Sequence, residues 1–325
     1  TRRSSDLRLC DNAKRLLLNI GKYVGTIYID DFEVYYMKKA NKIPLTDEEK
    51  KDTLTLAMNK WIDGMMEACD GKVKAWDVVN EALSGADKDG DGKYDLQSAT
   101  RGNVSAEDAA NNFYWQDYLG DLDYVRTAVK AARESFAAHN GNPEDLKLFI
   151  NDYNLESDWD QNGKLKSLIQ WIKDWEADGV TKIDGIGSQM HISCYGNPKT
   201  QESKKNAIVN MLKLMAESGK LVRISELDMA YVDETGKSVN TNDMTEEQHK
   251  QMRELYEFVI KKYFEIIPEA QQWGICQWCP TDSPANSGWR AGAPTGLWDK
   301  DYYRKHTYGG FAAGLGAPEF WNDAK

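Results

Sequence analysis

Short apolar runs alternate with longer amphipathic stretches along most of the chain. The runs occupy residues 73–79, 146–150, 183–190, 221–224 and 272–276, each four to eight residues long. That length suits strands buried on both faces. Between the runs, apolar residues recur at helical spacing. The clearest stretch is 46–69. Thr46 can cap it, Glu49 can complete a capping box, and Leu54, Ala57, Met58, Trp61, Met65 and Cys69 fall on one face. The pattern predicts further helices over 121–139, 164–177, 203–218 and 245–264. Strands alternating with helices imply a parallel sheet with helical crossovers. Residues 26–36 read differently. Their β-branched and aromatic side chains nearly alternate, broken at Asp30-Asp31, which predicts a bulged antiparallel strand. A polar, proline-ended link over 38–44 then sets a domain boundary after residue 43.

The strand ends carry the chemistry. The first run ends on Asn80-Glu81 and the second on Asn151-Asp152-Tyr153-Asn154. The third delivers Gln189 and His191, and the fourth Glu226 and Asp228. In a parallel barrel the C-terminal strand ends form one face, and that face holds the active site. A doubly wound open sheet would carry a glycine-rich phosphate loop after its first strand, and the sequence has no GxGxxG.

Charge and composition narrow the field. Lys+Arg number 41 and Asp+Glu 52, for a net charge of −11. Such a chain has no electrostatic attraction to a phosphate backbone, so nucleic acid is not an expected partner. No stretch reaches the roughly 18 apolar residues of a membrane span. The 11 Trp and 16 Tyr offer flat faces that suit sugar rings. The first residue is Thr1 and no signal peptide is visible, which reads as a processed or truncated chain. Five cysteines, at 10, 69, 194, 276 and 279, leave at least one thiol unpaired. Cys276-Gln-Trp-Cys279 has no second pair for a zinc site and ends an apolar run instead of opening a helix, so buried thiols or a local disulfide are expected there. Asp87, Asp89 and Asp91 match positions 1, 3 and 5 of a calcium loop, and Gly92 the turn at position 6. Ser98 stands where that loop has its bidentate Glu, so the alternatives are a Ca2+ site and a solvated acidic turn.

Glu81 and Glu226 each follow an apolar run closely, which would set them facing across a barrel mouth. Glycoside hydrolysis needs two carboxyl groups flanking one bond, one protonated and one ionised. At this point the chain resembles the family 10 glycoside hydrolases, chiefly endo-β-1,4-xylanases. The motifs are Trp76-Asp-Val-Val-Asn-Glu81, Phe149-Ile-Asn-Asp-Tyr-Asn154, Gly185-Ile-Gly-Ser-Gln-Met-His191, Ile224-Ser-Glu-Leu-Asp228 and Trp273-Gly-Ile275, in the family's order. The resemblance covers about residue 45 to the C-terminus.

The resemblance implies an α/β fold, a (β/α)8 TIM barrel, of which this chain would supply the last five strands. It implies endo-acting hydrolysis of β-1,4-xylosidic bonds in xylan or xylo-oligosaccharides by retaining double displacement, with no required cofactor. Glu81 would be the acid/base and Glu226 the nucleophile, with the carboxyls about 5–5.5 Å apart. Asn80 would bind the 2-hydroxyl of the sugar being cleaved. His191 would contact Glu226 while Asp228 fixes the imidazole. Asn151, Gln189 and Tyr153 would surround the same sugar, and Trp273 and Trp289 would wall it. Residues 1–43 resemble the tail of a carbohydrate-binding β-sandwich module, and 44–325 the C-terminal five-eighths of the hydrolase barrel. The family's first three strand motifs are missing before residue 45, so the remaining N-terminal part is expected as a partner needed for stability and activity. The run 276–284 also departs from the family, which has a shorter Asp-containing turn there. A related β-1,4-glucan or mixed glycosidase, or a non-catalytic polysaccharide-binding fragment, is the alternative. A polymeric substrate implies a secreted, periplasmic or cell-surface protein.

Overall fold

The computed structural model describes residues 24–26, 28, 43–102 and 104–318. The chain divides into two units, Thr1–Pro44 and Leu45–Lys325. The strand expected over 26–36, the β-sandwich tail assigned to 1–43 and Cys10 lie essentially outside the described residues. Nearly all the described residues belong to the second unit.

That unit opens with helix α1 (Asp47–Cys69), capped by Thr46 in a capping box with Glu49. Strand β1 (Ala75–Asn80) comes next, then two short helices, α2 (Ala106–Asn111) and α3 (Gln116–Leu119), and α4 (Asp123–Ala138). After them come β2 (Lys147–Asp152), α5 (Gly163–Glu176), β3 (Gly185–Ser188), β4 (His191–Tyr195) and α6 (Pro198–Glu217). The remainder is β5 (Leu221–Val232), α7 (Glu246–Ile266), β6 (Gln272–Gln277) and α8 (His306–Gly314). The strands form one six-stranded sheet ordered β1-β2-β3-β5-β4, with β6 pairing β5. Among the described residues every strand pair is parallel. This is the strand–helix architecture of a (β/α)8 barrel.

The core lies between strands and helices. Leu148 and Ile150 of β2, Ile186 of β3 and Val222 of β5 are fully out of solvent. Leu165, Leu168, Ile172 and Trp175 form the buried stripe of α5. Each such aliphatic side chain stabilises the fold by about 1.5–3 kcal/mol.

The third apolar run forms β3 alone, and a separate short strand, β4, follows it. β3 pairs with the lower part of β5, from Gly185↔Leu221 to Ser188↔Ile224. The chain then breaks at Gln189-Met190, where Met190 has φ +59. β4 resumes against the upper part of β5, from His191↔Asp228 to Tyr195↔Val232. The break swings Gln189 and His191 toward the C-terminal rim.

Two sequence expectations need correction. The buried stripe of α1 is Leu54, Met58, Ile62, Met66 and Cys69 at least in part, while Ala57 is exposed, Trp61 is 71% exposed and Met65 38% exposed. The helix packs on α4 and α3, and among the described residues an apolar side chain a third of a turn away from that side is left uncovered. Helix α6 begins at Pro198 instead of 203, because Asn197 accepts from the backbone N–H of Lys199 and Thr200. Its polar first turn hid that start from a hydrophobic pattern. Among the described residues β1 pairs only with β2, and β6 only with β5.

Candidate active site

Glu81 stands one residue past β1 in left-handed backbone, φ +56. Only the surrounding contacts hold a non-glycine residue there. Its N–H donates to Asn151 O at 2.8 Å, and Gln97 Nε2 donates to its carbonyl at 2.6 Å. The turn takes the carboxylate out of the strand's alternation, and Gln189 Nε2 donates to its Oε1 at 2.8 Å. Two residues on, Leu83 N–H donates to Asp152 Oδ2 at 3.1 Å. Asp152 is fully buried, with Lys164 Nζ 2.7 Å from its Oδ1. Burial raises the Asp152 pKa against the pull of that ammonium. Lys164 also lies 3.3 Å from the Tyr153 ring centroid, so one buried cation supports both Tyr153 and the strap behind Glu81.

Asn151 ties the strands together. Its Nδ2 donates to Asn80 Oδ1 at 2.9 Å and to Glu226 Oε1 at 3.0 Å, while its Oδ1 accepts from Ser225 Oγ at 2.6 Å. Asn151 pairs with Gly187 in the β2–β3 register. A Cβ on Gly187 would sit 2.4 Å from Asn151 Oδ1, so only glycine leaves this amide its place.

His191 and Asp228, adjacent in the β4–β5 register, complete the setting of Glu226. His191 Nε2 lies 3.2 Å from Glu226 Oε2. Its Nδ1 lies 3.0 Å from Asp228 Oδ1, an ion-pair distance at an angle outside hydrogen-bond geometry. Burial lowers the His191 pKa, but the two adjacent carboxylates, Asp228 foremost and then Glu226, together outweigh it and raise the pKa. Asp228 is itself buried and accepts from Trp289 Nε1 at 2.8 Å. Arg290 donates to the carbonyls of His191 and Ile192 at 2.8 and 2.6 Å. Glu226 is therefore held by an amide and an imidazole, and Glu81 by a single amide.

The structure thus joins Asn80, Glu81, Asn151, Gln189, His191, Glu226, Asp228 and Trp289 in one network, with Tyr153 beside it. It does not bring Trp273 there. Trp273 is the second residue of β6, and its ring packs 5.7 Å from Phe149, below the carboxylate rim. The side chain beside the site is Trp278, just past the end of β6, whose ring meets His191 edge-on at 5.8 Å. Trp289 also meets His191, with ring centroids 4.7 Å apart. Trp278 is 42% and Trp289 46% exposed, so both can offer a face to a ligand. The signal for Trp278 was its place at the C-terminal end of a strand, where barrel sites lie. Lys164 and Arg290 carried no such signal, because their roles depend on contacts distant in sequence. In the layer below, Asp77 pairs with Arg223, and burial raises the Asp77 pKa despite that charge.

The expected burial or bridging of the CxxC pair is not found. Cys276 and Cys279 are both free and exposed. Cys276 lies on a strand with no neighbour on its outer edge among the described residues, and Cys279 sits in a turn at φ +64. In the 87–95 loop the carboxylates of Asp87, Asp89 and Asp91 are exposed and offer oxygens within 4.8 Å of one another. Among the described residues no helix is long and apolar enough to cross a membrane.

The chain is similar to known proteins in sequence and in fold. The sequence model of glycosyl hydrolase family 10 matches residues 36–313. The chain is 29% identical over 261 residues to endo-1,4-beta-xylanase A of Thermotoga maritima, covering 79% of this chain and 20% of that protein. Its fold superposes on native xylanase 10C from Cellvibrio japonicus with a TM-score of 0.63 and 25% identity, over 85% of this chain and 53% of that one. The same Cellvibrio protein in complex with xylopentaose gives a TM-score of 0.63 at 24% identity, covering 85% and 50%. The chain therefore spans about half the length of the solved relative and a fifth of the Thermotoga protein.

Proposed function

Because the chain belongs to glycosyl hydrolase family 10, we propose that it carries the acid/base and the nucleophile of an endo-acting β-1,4-xylanase. The observation that carries this reading is the differential setting of the two carboxylates. In the first step Glu226 attacks the anomeric carbon while Glu81 gives its proton to the departing glycosidic oxygen, leaving a glycosyl ester on Glu226. In the second, Glu81 takes a proton from water, the water oxygen bonds to the same carbon, and Glu226 leaves as a carboxylate. Asn151 and His191 orient the nucleophile, and Gln189 orients Glu81. Asn80 faces the sugar, while Trp278 and Trp289 wall it. No step calls for a cofactor.

The outer edges of β1 and β6 are where further strands would close the barrel. Trp61 of α1, Phe264 of α7 and Trp273 of β6 are exposed apolar side chains that such accompanying units would cover. We assign these units to a further part of the same protein or a tight partner, residues 1–43 to the tail of a carbohydrate-binding module, and the enzyme to the outside of the cytoplasm, where xylan is met. Any calcium in the 87–91 loop is structural, and the check is a rise in melting temperature on adding Ca2+ that Asp89→Ala abolishes.

The test of the main reading is hydrolysis of an aryl xylobioside by the chain together with those completing units, with Glu226→Ala as control and the product anomer read by NMR. Retention of configuration, lost in Glu226→Ala, is expected. Inversion, or equal activity in the control, would overturn the assignment, and faster cleavage of the aryl cellobioside would move the substrate from xylan to glucan.

A further inference from the structure

A long loop joins β6 to α8, and it carries the two indoles, Trp278 and Trp289, that stand against His191. Residues 283–293 are all half-buried or exposed, so this stretch has no apolar core of its own to fix its shape. A buried ion pair sits at its root instead. Asp282 and Lys305 are 5% and 8% exposed, with Nζ 2.5 Å from Oδ1. Lys305 Nζ also donates to the carbonyls of Pro294 and Gly296 at 3.0 and 3.3 Å, which uses all three ammonium protons. Asp282 Oδ1 accepts in turn from the Gly296 N–H at 3.0 Å, and Oδ2 from Thr241 Oγ1 at 2.5 Å. Thr241 lies in the link between β5 and α7, and Lys305 is the N-cap of α8. The pair therefore ties both ends of the loop to two other segments. Helix α8 is itself pressed close on α7, where a Cβ on Gly310 would stand 2.2 Å from the carbonyl oxygen of Arg253.

A buried ion pair is a poor device for stability alone, because apolar side chains of similar volume often do as well. It is a good device for geometry, because charge-assisted hydrogen bonds are short and directional. Farther along the same loop, Trp289 Nε1 donates to Asp228 Oδ2 at 2.8 Å. We propose that Asp282 and Lys305 are positioning residues for the substrate, which hold the loop so that Trp278 and Trp289 wall the sugar beside His191. They act through the two indoles and not by contact with the sugar. The inference rests on the xylanase reading and adds what fixes the wall in place.

The test is the kinetics of aryl xylobioside hydrolysis by the chain together with its completing units. Thr241→Val deletes one hydrogen bond to Asp282 at nearly constant shape and should raise KM about threefold. Lys305→Met combined with Asp282→Asn removes the pair without stranding a charge. It should raise KM about tenfold and leave kcat within about threefold of wild type. A merely structural role would lower the melting temperature and leave the KM of folded variants alone. In a Trp278→Ala/Trp289→Ala background the wall is already gone, so the same changes should move KM less than about twofold. Wild-type KM in the Lys305/Asp282 variant, or in Thr241→Val where the former does not fold, overturns the positioning role and leaves the xylanase reading standing. So do KM effects that persist in full without the indoles. A wild-type enzyme inactive on xylosides overturns both.

Discussion

Replacing Lys164 with Met removes the one countercharge of a carboxylate that lies under the active rim. The two side chains are 3% and 0% exposed and 2.7 Å apart. Without the ammonium, Asp152 keeps only the N–H donors of Leu83 and Tyr153. Breaking a buried pair from one side costs about 3–5 kcal/mol, a large share of the roughly 5–15 kcal/mol that holds a domain folded. With a urea slope of about 2 kcal/mol per molar, the unfolding midpoint should fall by about 2 M. Adding Asp152→Asn to this background removes the stranded charge but keeps an acceptor, and should restore about half the loss. Burial raises the native Asp152 pKa, and losing Lys164 raises it further. The native state of the variant then holds a proton the unfolded chain releases above its ordinary pKa of 3.8. The deficit should accordingly be large at neutral pH and shrink as pH falls through the folded pKa toward that value. Urea titrations of wild type, both single variants and the double variant give the cycle. A Lys164→Met loss below about 1 kcal/mol, or a double variant no more stable than the single, would mean that the ammonium is not what holds Asp152 in place.

Further outcomes are expected elsewhere. Gly187→Ala drives a methyl into Asn151 Oδ1, so it should cost about 1–3 kcal/mol of stability and lower kcat by roughly a hundredfold as Glu226 loses its amide donor; wild-type kcat in a folded variant would sink the idea. Trp278→Ala should raise KM for xylo-oligosaccharides about tenfold, whereas Trp273→Ala should lower stability with KM unchanged, and the reverse outcome would return Trp273 to the site. His249 and His306 stack 6.0 Å apart. Burial lowers both pKa values, helped by Lys305 at His249 and by Lys250 and Arg253 at His306, with Glu246 opposing. Their contribution is present above the ordinary 6.5 and lost as pH falls below it. His191, whose pKa is raised, acts oppositely: its contribution is present below 6.5 and lost as pH rises through its folded value. Melting temperatures from about pH 5 to 8 should show the acid-side loss flattened in a His249→Gln/His306→Gln variant, and an unchanged slope would exclude the pair.

Much of this molecule was written in local pattern. The apolar runs marked the strands, most plainly β2 and β3, where burial on both faces leaves little room for polar residues. Thr46 marked a helix start, because a cap needs only the next three residues. Glu81, Glu226, His191 and Asp228 were visible because barrel sites sit where strands end. Other features depend on which residues meet across the sheet. The separate strand β4 after the third run arises from pairing with a different part of β5 than β3 uses. Trp278 displaces Trp273 at the site because height along β6, not motif likeness, sets which indole reaches His191. Lys164 beneath Tyr153, Gly187 opposite Asn151 and Trp61 exposed on α1 arise from neighbours that only the folded sheet supplies. The chemical groups and local elements are readable along the chain, because they depend on the nearest few residues. Which of those groups share a site is settled only on folding, because a contact between residues many positions apart has no local signature.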